Sequence, residues 1–167
     1  MDETRGQAEW RRWLVEHASK FLLFARQRTR SEADAQDLVQ EAVVQAAKRR
    51  GEDTPPPPAL VFATIHRRAI DLARREGRRA RRELVAMETA QEPWFDTSVE
   101  DRERARLIQH AMSKLPETYR EVITLKMWGG LTFAEIAGAL GIPANTAASR
   151  YRYALQELRT LMKEVFT

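Results

Sequence analysis

The chain has 167 residues, a formal net charge of +4 at pH 7 and no cysteine, which excludes a disulfide framework and a thiolate metal site and fits a reducing compartment. Domains of ~100 residues are common, so the length suits one domain or two small cores. The N-terminal MDETRGQAEWRRW does not read as a secretory signal, and no segment approaches the ~20 apolar residues of a membrane span. A soluble, cytoplasmic protein without membrane insertion is expected.

Residues 8–27 place Trp10, Trp13, Leu14, His17, Phe21, Leu22, Phe24 and Ala25 at helical spacing, which predicts a long amphipathic helix with an aromatic, core-facing stripe. His17, alone on that face, reads as a packed residue rather than a ligand. A hydroxyl at Ser31 can cap a second helix, with Glu32 and Asp34 near its positive end and Lys48, Arg49 and Arg50 near its negative end. Its apolar face runs Ala35, Leu38, Val39, Ala42, Val43, Ala46. The remaining face holds Asp34, Asp37 and Glu41 at i, i+3 and i+7, with Gln40 beside them. Periodicity alone makes that a solvated acidic surface.

The run TPPPP at 54–58 is not helical, because proline lacks the amide donor and pushes its predecessor toward extended geometry; it reads as a stiff connector. A third helix follows from Ala59, with Phe62, Ile65, Ala69, Leu72 and Ala73 inward. Arg67, Arg74 and Arg78 form one outer row, and Arg68, Arg75, Arg79 and Arg82 its neighbour. Residues 66–82 hold eight arginines against Asp71 and Glu76, a net +6, so the rest of the chain sums to −2. If helical throughout, residues 59–82 extend about 36 Å, enough to follow several phosphates, although Gly77 weakens the helix near its end. Arginines so crowded repel one another unless an anion is near, which points to a polyanion.

Residues 83–101 reverse the sign, with six acids and no Lys or Arg, and read as a linker. Trp94 and Phe95 are out of character there; they fold back onto a domain or are held for a partner. From Ser98, a further cap, Ala105, Ile108, Ala111, Met112 and Leu115 share one helical face. Pro116 suits the first position of the next helix, PETYREVITLKMW, which is expected to bury Tyr119, Val122, Ile123 and Met127 and to stop at Gly129 and Gly130. The short helix TFAEIAGAL then buries Phe133, Ile136, Ala137 and Leu140.

The segment LTFAEIAGALGIPANTAASRYRYALQELR reads as helix, tight turn, helix. Gly141 stands where a left-handed turn residue is required, Ile142 fills the angle between the helices, and Ala137 lets them approach. In a helix-turn-helix the second helix enters the major groove by its N-terminal part, so that part must be slim and polar. Asn145, Thr146, Ala147, Ala148 and Ser149 are expected to form such a tip. Arg150, Arg152 and Tyr153 can reach phosphates or base edges, while Tyr151, Leu155, Leu158 and Met162 anchor the helix. An ordinary helical hairpin explains the glycine and the leucines but not the small, polar first turn.

With those residues in view, LPETYREVITLKMWGGLTFAEIAGALGIPANTAASRYRYALQELR resembles the C-terminal promoter-binding region of bacterial RNA polymerase sigma factors of the extracytoplasmic function (ECF) type. DAQDLVQEAVVQAAKR at 34–49 resembles that family's polymerase-binding helix, and FATIHRRAIDLARRE at 62–76 the helix that engages the downstream promoter element. The resemblance implies an all-α protein of two small helical domains joined by an acidic linker, the C-terminal one a helix-turn-helix. Its parts would be a region 2-like domain over 1–82, a linker over 83–104 and a region 4-like domain over 105–167.

By the same resemblance, Asp34, Asp37, Gln40 and Glu41 would dock on the coiled-coil clamp of the largest subunit of core RNA polymerase. Phe62, His66, Arg67, Arg68, Arg74, Arg75 and Arg78 would face promoter DNA at the downstream element. Asn145, Thr146, Ser149, Arg150, Arg152 and Tyr153 would read the upstream element. An anti-sigma protein is a frequent partner in the family; no cofactor and no metal are implied. The sequence departs from the family at Leu60, where tryptophan is common, and at Arg67, where asparagine is. It also departs at Ala147 and Ala148, where valine and lysine are frequent, leaving a smoother tip suited to thymine methyl groups. The PPPP run occupies the loop expected to hold a flipped promoter base.

Two other readings compete. A helix-turn-helix regulator that binds duplex DNA without polymerase accounts for residues 116–162 but leaves the acidic second helix and the arginine block unassigned. An enzyme acting on nucleic acid is disfavoured, since His17, His66 and His110 are far apart in sequence and neither an H-E-x-x-H motif nor a phosphate-cradling glycine loop occurs.

Overall fold

The computed structural model describes the backbone of residues 2–51, 53–87 and 92–166, and the side chains of residues 4–51, 53–77 and 92–164. Among these residues there is no strand. The elements are α1 (Asp2–Arg26), α2 (Glu32–Arg50), α3 (Pro58–Met87), a single 3-10 turn at Val99–Asp101, α4 (Arg102–Ser113), α5 (Glu117–Met127), α6 (Phe133–Leu140) and α7 (Ala144–Phe166). They divide into two units, Met1–Glu92 and Pro93–Thr167.

In the first unit α1, α2 and α3 pack on one another. Phe21 and Phe24 of α1 meet Phe62 of α3 edge-on, with ring centroids 5.0 and 5.6 Å apart, and Val61 and Ile65 close the core. The middle helix contributes Leu38 together with Ala35, Ala42, Ala46 and Ala47, alanines whose small side chains let its neighbours approach. Ser31 caps it as expected, its hydroxyl accepting from the Asp34 amide at 3.1 Å. The aromatic stripe of α1 is continuous: Trp10, Trp13, His17 and Phe21 contact one another in sequence, at 5.4 to 6.0 Å between centroids. Leu14, expected in that stripe, is instead 41 % exposed.

Gly77 divides α3. Its φ of 56° with ψ of −145° belongs to glycine, so the straight part of the helix ends at Glu76, about 28 Å from its start. The rod that residues 59–82 would form if helical throughout is therefore broken at the glycine that weakens it. Leu72 and Ala73, expected inward, are exposed, because α3 outruns the core that covers its first turns.

In the second unit α7 packs against α4, α5 and α6 around Met112, Val122, Ile123, Leu125, Ile136, Ala147 and Ala154. Pro116 caps α5 rather than entering it: its ψ is 144°, and its carbonyl accepts from the amides of Tyr119 and Arg120 at 3.0 Å. Met127 is half exposed and Leu125 takes the core position expected of it. The span 83–104, expected as linker, overlaps the end of α3, residues 88–91, which lie outside the described residues, and the start of the second unit. There Trp94 is buried, its amide donating to Gln109 Oε1 at 2.9 Å, and Phe95 leans on Trp128 at 5.5 Å. Both rings fold back onto their own unit.

The guanidinium of Arg120 holds this unit together at a helix end. It donates to the carbonyls of Met112, Ser113 and Leu115 at 3.0, 3.1 and 2.9 Å, tying the end of α4 to the turn that follows, where the Met112 carbonyl also accepts from the Leu115 amide. Burial pulls its pKa below the ordinary arginine value, an effect opposed by Glu117 and Glu121.

Candidate functional site

Because the alanine face of α2 is turned into the core, Asp34, Asp37, Gln40 and Glu41 all stand exposed along the opposite side. The start of that helix is fixed by Arg26, which binds Glu32 through two hydrogen bonds of 2.8 and 2.7 Å. The same guanidinium holds the Glu32 carboxyl below its usual pKa. Asp34 and Asp37 make no ion pair among the described residues. Glu41 does: its carboxylate accepts from Nη2 of Arg68 on α3.

On α3, Arg67, Arg74 and Arg75 are exposed and Arg68 and His66 half-buried. Arg78, Arg79 and Arg82 have side chains outside the described residues. Phe62 is inward as its helical spacing predicts and corrects what the resemblance implied: it is 1 % exposed and forms the centre of the first core, so contact with DNA falls to its neighbours. A second ion pair joins Arg30, in the turn between α1 and α2, to Glu76 at 2.9 Å, where the straight part of α3 ends. The sequence singled out neither partner, because they are 46 residues apart.

In the second unit the turn has the predicted geometry. Thr132 and Glu135 form a reciprocal capping box at 3.1 and 3.0 Å, starting α6. Gly141 ends that helix in the left-handed region, φ 69° and ψ 38°, and the Ile142 amide donates to Ala137 O at 3.0 Å. α7 then presents Asn145, Arg152 and Tyr153 exposed and Thr146, Ser149 and Arg150 half-buried on its first turns. The Arg152 guanidinium lies 5.4 Å from the Tyr153 ring. Tyr151 anchors the helix against Phe133, 5.6 Å away. Ala147 departs from expectation: fully buried, it belongs to the core side of α7, so it offers no surface to a thymine methyl group.

The described residues contain no group of three or more His, Cys, Asp or Glu able to hold a metal ion, and no helix long and apolar enough to cross a membrane. What they present is an acidic ridge, an arginine-lined helix beside it and, in a separate unit, a helix-turn-helix. Residues 10–79 match Sigma-70 region 2 and residues 105–167 match Sigma-70, region 4, which places the chain among the sigma factors.

Relatives narrow the class. ECF RNA polymerase sigma factor SigL of Mycobacterium tuberculosis (strain H37Rv) is 32 % identical over 157 residues, 90 % of this chain and 86 % of that protein. ECF RNA polymerase sigma factor SigK of Mycobacterium ulcerans (strain Agy99) is 33 % identical over 110 residues, 64 % of this chain and 58 % of that one. The fold is shared with the sigma factor RpoE of Bartonella quintana, solved with the anti-sigma factor NepR: TM-score 0.69, 20 % identity, 92 % of this chain and 96 % of that one. It is shared also with CnrH, solved with the cytosolic domain of CnrY: TM-score 0.61, 24 % identity, 98 % and 93 %. The chain belongs to the ECF RNA polymerase sigma factors. It binds core RNA polymerase and directs promoter-specific transcription initiation.

Proposed function

We propose that the two units divide the work of initiation by residue. Asp34, Asp37, Gln40 and Glu41 dock on basic groups of the polymerase clamp. His66, Arg67, Arg68, Arg74 and Arg75, with Arg78 beyond them in sequence, engage the downstream promoter element, the arginines on duplex phosphates and nearby groups on opened bases. Asn145, Thr146, Ser149, Arg150, Arg152 and Tyr153 read the upstream element in the major groove. Joining two weak modules on one chain raises the effective concentration of each once the other is bound. Binding to single-stranded bases stabilises the open duplex selectively, and polymerase performs the chemistry, so the chain itself is no enzyme. Its place of action is the cytoplasm, and an anti-sigma protein that covers these surfaces is a partner of the kind found with the Bartonella quintana neighbour.

The observation that carries this reading is the segregation of charge in the first unit, acids outward on α2 and, on the adjoining α3, Arg67, Arg74 and Arg75 outward with no ion pair among the described residues. Run-off transcription with purified core polymerase on genomic fragments tests it. Discrete start sites that vanish without the protein are expected. A chain that binds promoter fragments equally well with and without polymerase, and yields no discrete transcript, refutes the assignment.

A further inference from the structure

One ion pair joins the two surfaces just assigned, and the following rests on that assignment. Glu41 closes the acidic ridge of α2, and Arg68 belongs to the arginine rows of α3, yet the guanidinium of the second donates to the carboxylate of the first. Arg67, Arg74 and Arg75 make no ion pair among the described residues, so Arg68 is the arginine of this set whose charge is cancelled within the fold. The Glu41 and Arg68 side chains are 54 % and 31 % exposed, so an outside ion can reach and replace either partner.

We infer that the Glu41–Arg68 pair couples polymerase docking to DNA binding. In the free chain Glu41 neutralises Arg68 and repels an approaching phosphate. A cation of the polymerase that takes Glu41 releases the Arg68 guanidinium to the DNA backbone. By linkage the reverse holds with the same factor: a phosphate that takes Arg68 frees Glu41 for the polymerase. An exposed pair of this kind is worth about a two- to fivefold change in an equilibrium, enough to bias the order of assembly without locking the free protein.

The test compares full-length wild type, Glu41→Gln, Asp37→Asn, Arg68→Gln and the Glu41→Gln/Arg68→Gln double variant. Binding to a fork-junction DNA is measured by fluorescence anisotropy at low salt, alone and with saturating core polymerase. Glu41→Gln alone is expected to bind free DNA about two- to fivefold more tightly, with its salt dependence steepened by about 0.9, one phosphate's worth. Asp37→Asn removes the same charge from the same ridge without touching Arg68, and gains less. The double variant matches Arg68→Gln, and with polymerase bound the gain of Glu41→Gln disappears. A gain equal to that of Asp37→Asn, or one that persists in the double variant or with polymerase bound, overturns the coupling. Polymerase affinity is read in parallel. Weakened polymerase binding by Glu41→Gln without any gain on DNA sinks the coupling alone, whereas unchanged polymerase binding sinks the docking role of Glu41 and the coupling with it.

Discussion

The two units display their working residues by different means. In the first, the proposed role rests on charge placed on the outer faces of helices whose inner faces make the core; Asp34 and Asp37 are exposed and make no ion pair among the described residues. In the second, it rests on backbone geometry: Gly141 at φ 69°, a capping box at Thr132 and a first turn that buries Ala147 while exposing Asn145. Change should therefore be cheap for stability on the first surface and costly around the second. That contrast teaches where an altered phenotype reports lost contact and where it reports lost fold.

The sharpest way to break the contrast is to reverse charge on α2. Asp37→Lys with Glu41→Lys is expected to lower polymerase affinity at least about a hundredfold, since each reversed close charge pair costs about 2 kcal/mol or more. The thermal midpoint should fall by no more than the loss of the exposed Glu41–Arg68 pair costs, because both side chains are exposed. Pull-down of core polymerase and a melting curve on the same preparation check both halves. Unchanged transcription from the double variant counts against the docking assignment.

The opposite behaviour is expected at Arg120. Alanine there removes three donors from the end of α4 and leaves the carbonyls of Met112, Ser113 and Leu115 without them, a loss of about 3 kcal/mol by urea unfolding. Lysine keeps the charge near the helix C-terminus but loses the fork, so it should recover only part. Promoter binding falls with the fold in both, while polymerase binding through the first unit is retained.

Arg150→Ala probes the boundary between the two modes, because this half-buried residue lies on α7 just past its exposed tip. Promoter affinity should fall by roughly 1 to 3 kcal/mol if the guanidinium reads a base, with specificity relaxed at one position. A uniform loss across sequences, with the salt slope reduced by about one phosphate, identifies a backbone contact instead. Competition binding over a set of point-substituted promoters separates the two.

Features decided within a few residues were legible in the sequence. The Ser31 cap, the left-handed Gly141 and the break at Gly77 follow from what hydroxyls and glycines do at helix ends. The exposure of the proposed site was legible as pattern in the spacing of the acids on α2, all of which stand on its outer face. Helical spacing already turns Phe62 inward, as the packing of Phe21 and Phe24 on it bears out; it is the resemblance that puts the ring on DNA. What was not legible depends on which neighbour covers which face. Met127 and Leu125 both suit a core by composition, and the packing of α5 within its unit selects Leu125. The Glu41–Arg68 and Arg30–Glu76 pairs span 27 and 46 residues, distances over which no local periodicity speaks.

The smallest expected effect lies in the first unit, on the aromatic stripe of α1. His17 packs between Trp13 and Phe21, and burial lowers its pKa from 6.5; Glu16 acts in the opposite direction and Lys20 in the same one. The folded state thus resists protonation more than the unfolded chain does. Its stability is fully present above the unfolded pKa of 6.5 and declines as the pH falls through that value toward the lower folded one, where the penalty stops growing. Glu32, whose carboxyl is also held low, loses its contribution only as the pH drops below the 4.5 of the free group, so the two windows are distinct. Urea midpoints at pH 7.5 and 5.5 should therefore fall further in wild type than in His17→Gln, which cannot take up the proton. Equal shifts in the two proteins would show that the imidazole is solvated, and that the aromatic ladder of α1 is looser than the close ring contacts imply.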